Sequence, residues 1–127
     1  MNNAPNNMEE ILDHQICGFH QYVLTSPVHL NYVSSNLCEM LGVRPNALLD
    51  DRTDLYAQMV HPADRKKYSD FINKIIMKGQ SLADEYRLVK KDGTIICVRD
   101  TVTTKRLSDG TLIGHSVLTD ITDMKNE

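Results

Sequence analysis

Tryptophan is absent from this chain, phenylalanine occurs twice, and cysteine only three times in 127 residues. The cysteines, Cys17, Cys38 and Cys97, are odd in number and widely spaced. That pattern excludes a disulfide framework and suits a reducing compartment. No apolar run exceeds a few residues, so nothing reads as a bilayer span. Positive charge is in slight deficit, 14 Lys and Arg against 17 Asp and Glu, for a net charge of -3. Without a Lys/Arg block, this balance argues against a nucleic-acid surface or direct contact with an anionic membrane. Met1 to Asn7 lacks the charged-then-apolar pattern of a secretory signal and reads as a disordered leader; the chain reads as cytoplasmic. There is no internal repeat, no Gly-rich phosphate loop, and no Ser/His/Asp or Cys/His set in a recognisable context, so catalysis has no support.

What is present fits one domain. A chain of this length buries roughly two-thirds of its unfolded surface, enough to fold without disulfides or metal. Met8 to Gln15 has short helical character, and Ile11 and Leu12 there have little else to cover, so a homodimer through this segment is expected. From Ile16 to Leu24 small and apolar residues (Ile16, Gly18, Tyr22, Leu24) alternate with others, predicting a first strand. Thr25-Ser26-Pro27 signals a turn and Val28 to Val33 a second strand. Ser34-Ser35 supplies an N-cap, Leu37, Met40 and Leu41 an apolar stripe, and Gly42 a stop, so a short helix follows, ended before Pro45. Arg52 to Val60 adds one or two helical turns with Leu55, Met59 and Val60 inward.

His61-Pro62-Ala63-Asp64 is a stronger start signal, with Pro at the first helical position and an acid near the positive end of the dipole. Tyr68, Phe71, Ile72, Ile75 and Ile76 recur at helical spacing until Gly79, predicting a long amphipathic helix. Thereafter the period is two. Leu82 to Val89, Thr94 to Thr104 and Thr111 to Thr119 read as strands joined at Asp92-Gly93 and Asp109-Gly110, a three-stranded meander. The predicted class is α+β: a five-stranded antiparallel sheet with helices inserted between strands 2 and 3.

Four segments sharpen this order. They are Tyr32-Val33-Ser34-Ser35-Asn36-Leu37 leading to Leu41-Gly42-Val43; His61-Pro62-Ala63-Asp64-Arg65; Tyr86-Arg87 through Asp92-Gly93; and Asp120-Ile121-Thr122 followed by Lys125. Together, over about Gly18 to Lys125, the chain resembles the PAS domain, and its hairpin the PAS-3 branch of bacterial sensory boxes. It departs in having Cys97 where that branch has Trp, and Pro27 in place of a Gly-rich first turn. The resemblance implies a leader and short helix over 1–15, a PAS domain over 16–122, and the start of a signalling linker helix over 123–127. It implies a sensory input module of a multidomain bacterial signalling protein, its partner an output domain of the same polypeptide (histidine kinase, diguanylate cyclase or transcription regulator).

The resemblance also implies a cavity. Flavin photoreceptor PAS domains carry a Cys on the helix before the long one, and Asp50 to Gln58 has none; haem PAS domains take a His from the long helix, and Ala63 to Lys78 has none. Haem and flavin are therefore not expected, with His61 read as a helix cap and His115 as a strand residue. His14, Cys17, His20 and His29 have soft-ligand chemistry, but strand alternation sends such side chains apart, so no metal is expected. Asp50, Asp51 and Asp54 read as a solvated capping loop. For a small-molecule ligand, the expected lining is Tyr86, Leu88, Cys97 and Arg99 on the meander, with Tyr32, Met59, Phe71 and Ile75 opposite. The alternative is a filled core with Arg99 in solvent and a role in dimerisation or docking. Asp120 and Thr122 are the expected signalling residues, capping the first turn of the exit helix.

Overall fold

The computed structural model describes residues 17–24, 28–50 and 54–125. Five strands run β1 (Cys17–Val23), β2 (His29–Val33), β3 (Leu82–Val89), β4 (Ile95–Arg106) and β5 (Leu112–Asp120). They form one antiparallel sheet in the order β2-β1-β5-β4-β3. Between β2 and β3 lie α1 (Ser35–Leu41), α2 (Pro45–Leu48), α3 (Leu55–Met59), a 3-10 turn (Pro62–Asp64) and α4 (Arg65–Lys78); α5 (Thr122–Lys125) follows β5. The α+β class and the position of the helices are as read from sequence. The 8–15 helix, the turn at Thr25 to Pro27 and Asp51 fall outside the described residues.

Local chemistry explains the boundaries. Ser34 caps α1, its hydroxyl accepting from the Leu37 N–H, and Gly42 closes the helix in the left-handed region at φ 77°. Pro45 does more than end that helix: it opens α2 at a position where its missing N–H costs nothing. The helices pack their apolar faces on one side of the sheet. One cluster gathers Leu37, Leu41, Tyr56, Met59, Tyr86, Leu88, Val98 and Leu118; a second gathers Tyr22, Leu24, Phe71, Ile75, Val102 and Leu112.

The entrance to α4 is pinned to the sheet by Asp64. Its carboxylate accepts from the Arg87 backbone N–H at 2.8 Å and from two guanidinium N–H groups at 2.9 Å each. The His61 N–H returns the contact to the Arg87 carbonyl at 2.9 Å. The Arg87 side chain, with the backbone bond, holds the Asp64 carboxyl down at about 2 against an ordinary 3.8. Because the folded value is depressed, this stabilisation is present above pH 4 and is lost as pH falls through about 2. Arg87 is 40% exposed, which screens the pair. Asp64→Asn is therefore expected to lower stability by about 1–2 kcal/mol at pH 7. Urea midpoints for parent and variant should converge between pH 4 and 2; a gap that persists at pH 2 would contradict the ion pair as its source.

Candidate functional site

A polar seam lies between the two apolar clusters. Alternation on the inward faces of four strands brings together His20 and Tyr22 (β1), Ser116 (β5), Asp100 (β4) and Tyr86 (β3); Tyr56 of α3 and Tyr68 of α4 close it from the helical side. His20, Asp100 and Ser116 are 3%, 0% and 1% exposed, values otherwise reached only by the apolar core. A buried polar group without a partner is costly, so its bonds can be followed one by one.

Tyr86 donates to the Asp100 Oδ2 at 2.7 Å, and the Tyr56 and Tyr86 hydroxyls are 2.6 Å apart. Since the single Tyr86 proton goes to Asp100, Tyr56 donates to the Tyr86 oxygen, forming a chain Tyr56 to Tyr86 to Asp100. Ser116 donates to the Tyr22 oxygen at 3.2 Å. His20 lies between two rings, its centroid 5.1 Å from that of Tyr22 and 4.7 Å from that of Tyr56. Tyr68 extends the aromatic wall, 5.9 Å from Tyr56 and 5.0 Å from Tyr86. Among the described residues, Nδ1 and Nε2 of His20 and Oδ1 of Asp100 have no protein partner.

Burial dominates the electrostatics. It pushes His20 down to about 3, so the ring is neutral and offers one N–H and one acceptor nitrogen. Burial raises Asp100 to about 6, outweighing the Tyr86 and Ser116 hydroxyls that favour its ionised form. Burial also raises all four tyrosines, with the Asp100 charge next in importance for Tyr22, Tyr56 and Tyr86. The seam thus holds a carboxylate that ionises near neutrality, a neutral imidazole and phenols that stay protonated.

The residues anticipated as a pocket lining divide. Tyr86 is in the seam, and Leu88 and Met59 are buried beside it in the first cluster. Phe71 and Ile75 belong to the second cluster, on the far side of the seam. Cys97 and Arg99 are on the opposite face of β4, because Tyr86 pairs with Val98 and Leu88 with Ile96, which makes Ile96, Val98, Asp100 and Val102 the inward set. Arg99 reaches Glu85 on that outer face at 3.1 Å. Tyr32 is 54% exposed and also faces away. The two faces of β4 are thus exchanged relative to the expectation. Of the seam, only Tyr86 was among the expected lining; His20, Tyr22, Tyr56, Tyr68, Asp100 and Ser116 were not. Asp100 stands in phase with Ile96, Val98 and Val102, a phase that the pairing with β3 fixes.

His20 and His29 diverge, one in the seam and the other exposed on β2; His14 and the Cys17 side chain lie outside the described residues. His61 does cap its turn, its Nδ1 accepting from the Ala63 N–H at 3.1 Å.

Asp120 and Thr122 sit at the exit. Asp120 Oδ1 accepts from the Thr122 N–H at 2.9 Å and from its hydroxyl, and Thr122 Oγ1 accepts from the Cys97 N–H at 3.0 Å. The Ile121 N–H donates to the Cys97 carbonyl at 2.9 Å, and Lys125 meets Glu85 at 2.8 Å. The first turn of α5 is therefore fastened to β4 and β3. Tyr86, Val98 and Asp120 occupy one row of paired residues across β3, β4 and β5.

A family model described as PAS fold matches residues 30–115. Among solved structures, the chain is similar to the N-terminal domain of a diguanylate cyclase with PAS/PAC sensor from Marinobacter aquaeolei. Identity there is 20%, the TM-score 0.73, and 86% of this chain and 98% of that one are covered. It is similar to a sensory box histidine kinase/response regulator from Burkholderia thailandensis (17% identity, TM-score 0.68, 93% and 86% covered). It is also similar to the PAS domain of the fruit-fly ELK potassium channel (13% identity, TM-score 0.64, 95% and 99% covered). At these identities the likeness is one of fold. No curated protein sequence matches the chain.

Proposed function

Because the chain belongs to the PAS-fold family, we propose that it is the ligand-sensing input module of a multidomain signalling protein, passing its state to an output domain through α5. The observation that carries this reading is the set of three buried polar atoms, on His20 and Asp100, that have no partner among the described residues. Buried polar atoms are nearly always bonded, and exceptions mark places where something else supplies the bond. The exit geometry supports the second half. A change in the seam that moves Tyr86 also moves Val98 and Asp120, which share its row, and Asp120 and Thr122 hold the start of α5. The domain itself regulates and does no chemistry.

The histidine kinase and diguanylate cyclase among the structural neighbours fit the expected kinds of output domain. No helix among the described residues is long and apolar enough to cross a membrane, which accords with the proposed cytoplasmic placement. A second reading, a ligand-free dimerisation or docking module, is favoured by the exposed Tyr32. It borders a hollow of about 300 Å³ on the outer sheet face with Phe19, Gln21, His115 and Val117.

Native mass spectrometry of the purified chain is expected to show a stoichiometric small-molecule adduct. Hydrogen exchange at the Cys97, Ile121 and Lys125 amides should differ between the adduct and the stripped chain. An apo mass, together with exchange at these amides unmoved by a metabolite panel, would overturn the sensing reading in favour of docking.

A further inference from the structure

Building on the ligand-binding reading above, we propose that the occupant of the seam is a small organic cation, an aliphatic amine or alkylammonium, held by the Asp100 carboxylate and enclosed by the tyrosine rings. Asp100 is fully buried; neutral hydroxyls alone support its charge, Tyr86 donating to Oδ2 at 2.7 Å with Ser116 beside it, and Oδ1 has no partner among the described residues. No ion pair among the described residues reaches it. Several cations near β3 and β4 are engaged elsewhere: Arg87 with Asp64, Arg99 and Lys125 with Glu85, and Lys67 with Asp84. An ionised carboxylate sealed away from water needs a positive partner, and the described residues do not supply one.

The surroundings fit the same partner. Tyr22, Tyr56, Tyr68 and Tyr86 bring four aromatic rings to the seam, and ring faces attract a cation whose water has been removed. Neutral His20 adds an acceptor nitrogen for an ammonium N–H. An anion would meet the Asp100 charge with no cationic side chain to hold it. A neutral alcohol or amide would hydrogen-bond Oδ1 and leave the charge uncompensated. The approach is also present: Tyr68 forms one wall of a surface cleft of about 250 Å³ shared with Val28, Asp54, Arg65 and Ile72, the Arg65 guanidinium being turned to the Val60 and Gln58 carbonyls. A ligand in that cleft is separated from Tyr56 and Tyr86 by the Tyr68 side chain, which contacts both.

Because four of the five tyrosines line the seam and tryptophan is absent, tyrosine emission reports on this site. The purified chain is titrated with n-propylamine, with n-propanol as the neutral isostere and with propionate as the anion, while emission and Tm are followed. At saturation propylamine is expected to raise Tm by about 5 °C and change the emission, while propanol and propionate do neither. Asp100→Asn, verified as folded by circular dichroism, is expected to bind propylamine at least about tenfold more weakly, the loss of one buried charge pair. An equal response to propanol or propionate, or undiminished amine binding by the variant, overturns the cation assignment and leaves ligand sensing standing. A co-purified mass that is not a base does the same. Silence towards all three probes, together with an apo mass, overturns both readings.

Discussion

Asp100→Asn is expected to make the ligand-free domain more stable at pH 8 by about 1–2 kcal/mol, against the usual direction for a buried substitution. In the parent, folding takes the carboxyl from an ordinary 3.8 to about 6, chiefly because burial disfavours the charge. The folded state therefore binds the proton more tightly than the unfolded state, and stability rises as pH falls from about 6 to about 4. Each unit is worth 1.36 kcal/mol, so the ionised group costs the fold about 3 kcal/mol above pH 7. The amide removes that cost. Its oxygen still accepts from Tyr86, but its NH2 group enters a place where Oδ1 has no partner, returning about 1–2 kcal/mol. At pH 4.5 the parent is protonated and the advantage should vanish or reverse. The other titratable groups of the seam leave this window clear: the tyrosines titrate far above it, and His20 stays neutral down to about 3; Asp84, paired across from Asp100 on β3, is common to parent and variant. Urea midpoints at pH 8 and 4.5 decide the matter, and a less stable variant at pH 8 would show that the carboxylate is well accommodated. A site that sacrifices stability for a charge is the pattern expected where a ligand later neutralises it.

The same residue explains where the sequence misled. Element order was readable because each boundary has its own local chemistry: Ser34 as a cap, Gly42 and Gly79 in left-handed stops at φ 77° and 61°, and Gly93 and Gly110 at the hairpin turns. The phase of β4 had no such marker. Ile95, Ile96, Cys97 and Val98 are all apolar, so alternation there is silent. Asp100 and Arg99 then decide the reading, and a carboxylate ordinarily faces water. Cys97 and Arg99 were expected inward, which would turn Asp100 outward. Only the register of Tyr86 with Val98 reverses this. The seam was illegible for the same reason. Its members come from β1, α3, α4, β3, β4 and β5, and no local pattern announces that one His, one Asp, one Ser and four Tyr converge. Tyr56 shows this well: it is the buried residue of α3 beside the anticipated Met59, yet nothing near it in sequence points to Tyr86, 30 residues away.

Gly18→Ala is expected to be the most damaging small substitution in the domain, lowering stability by about 3 kcal/mol or more. A methyl group at Gly18 would lie 2.7 Å from the Leu37 Cβ and 2.8 Å from its Cα, so β1 and the backbone of α1 are already in contact. Neither element can slide away freely. The Ser34 hydroxyl accepts from the Phe19 N–H at 3.0 Å while the Ser34 N–H donates to the Phe19 carbonyl at 2.9 Å, tying the N-cap of α1 to the strand one residue beyond the glycine. On its other side β1 pairs with β5 from Cys17 to Val23. The strain must therefore lift α1, exposing Leu37 and Leu41, both fully buried, or bend β1 at the residues leading to His20. Adding Leu37→Ala removes the outer Leu37 carbons but leaves Cβ and Cα, so the double variant should recover none of the loss. Guanidine unfolding of parent, single and double variants tests this directly. A single variant within about 0.5 kcal/mol of the parent, the scale of an ordinary surface change, would mean that β1 and α1 have room to separate. The wall of the seam carrying His20 would then be pliable enough to adjust around a ligand.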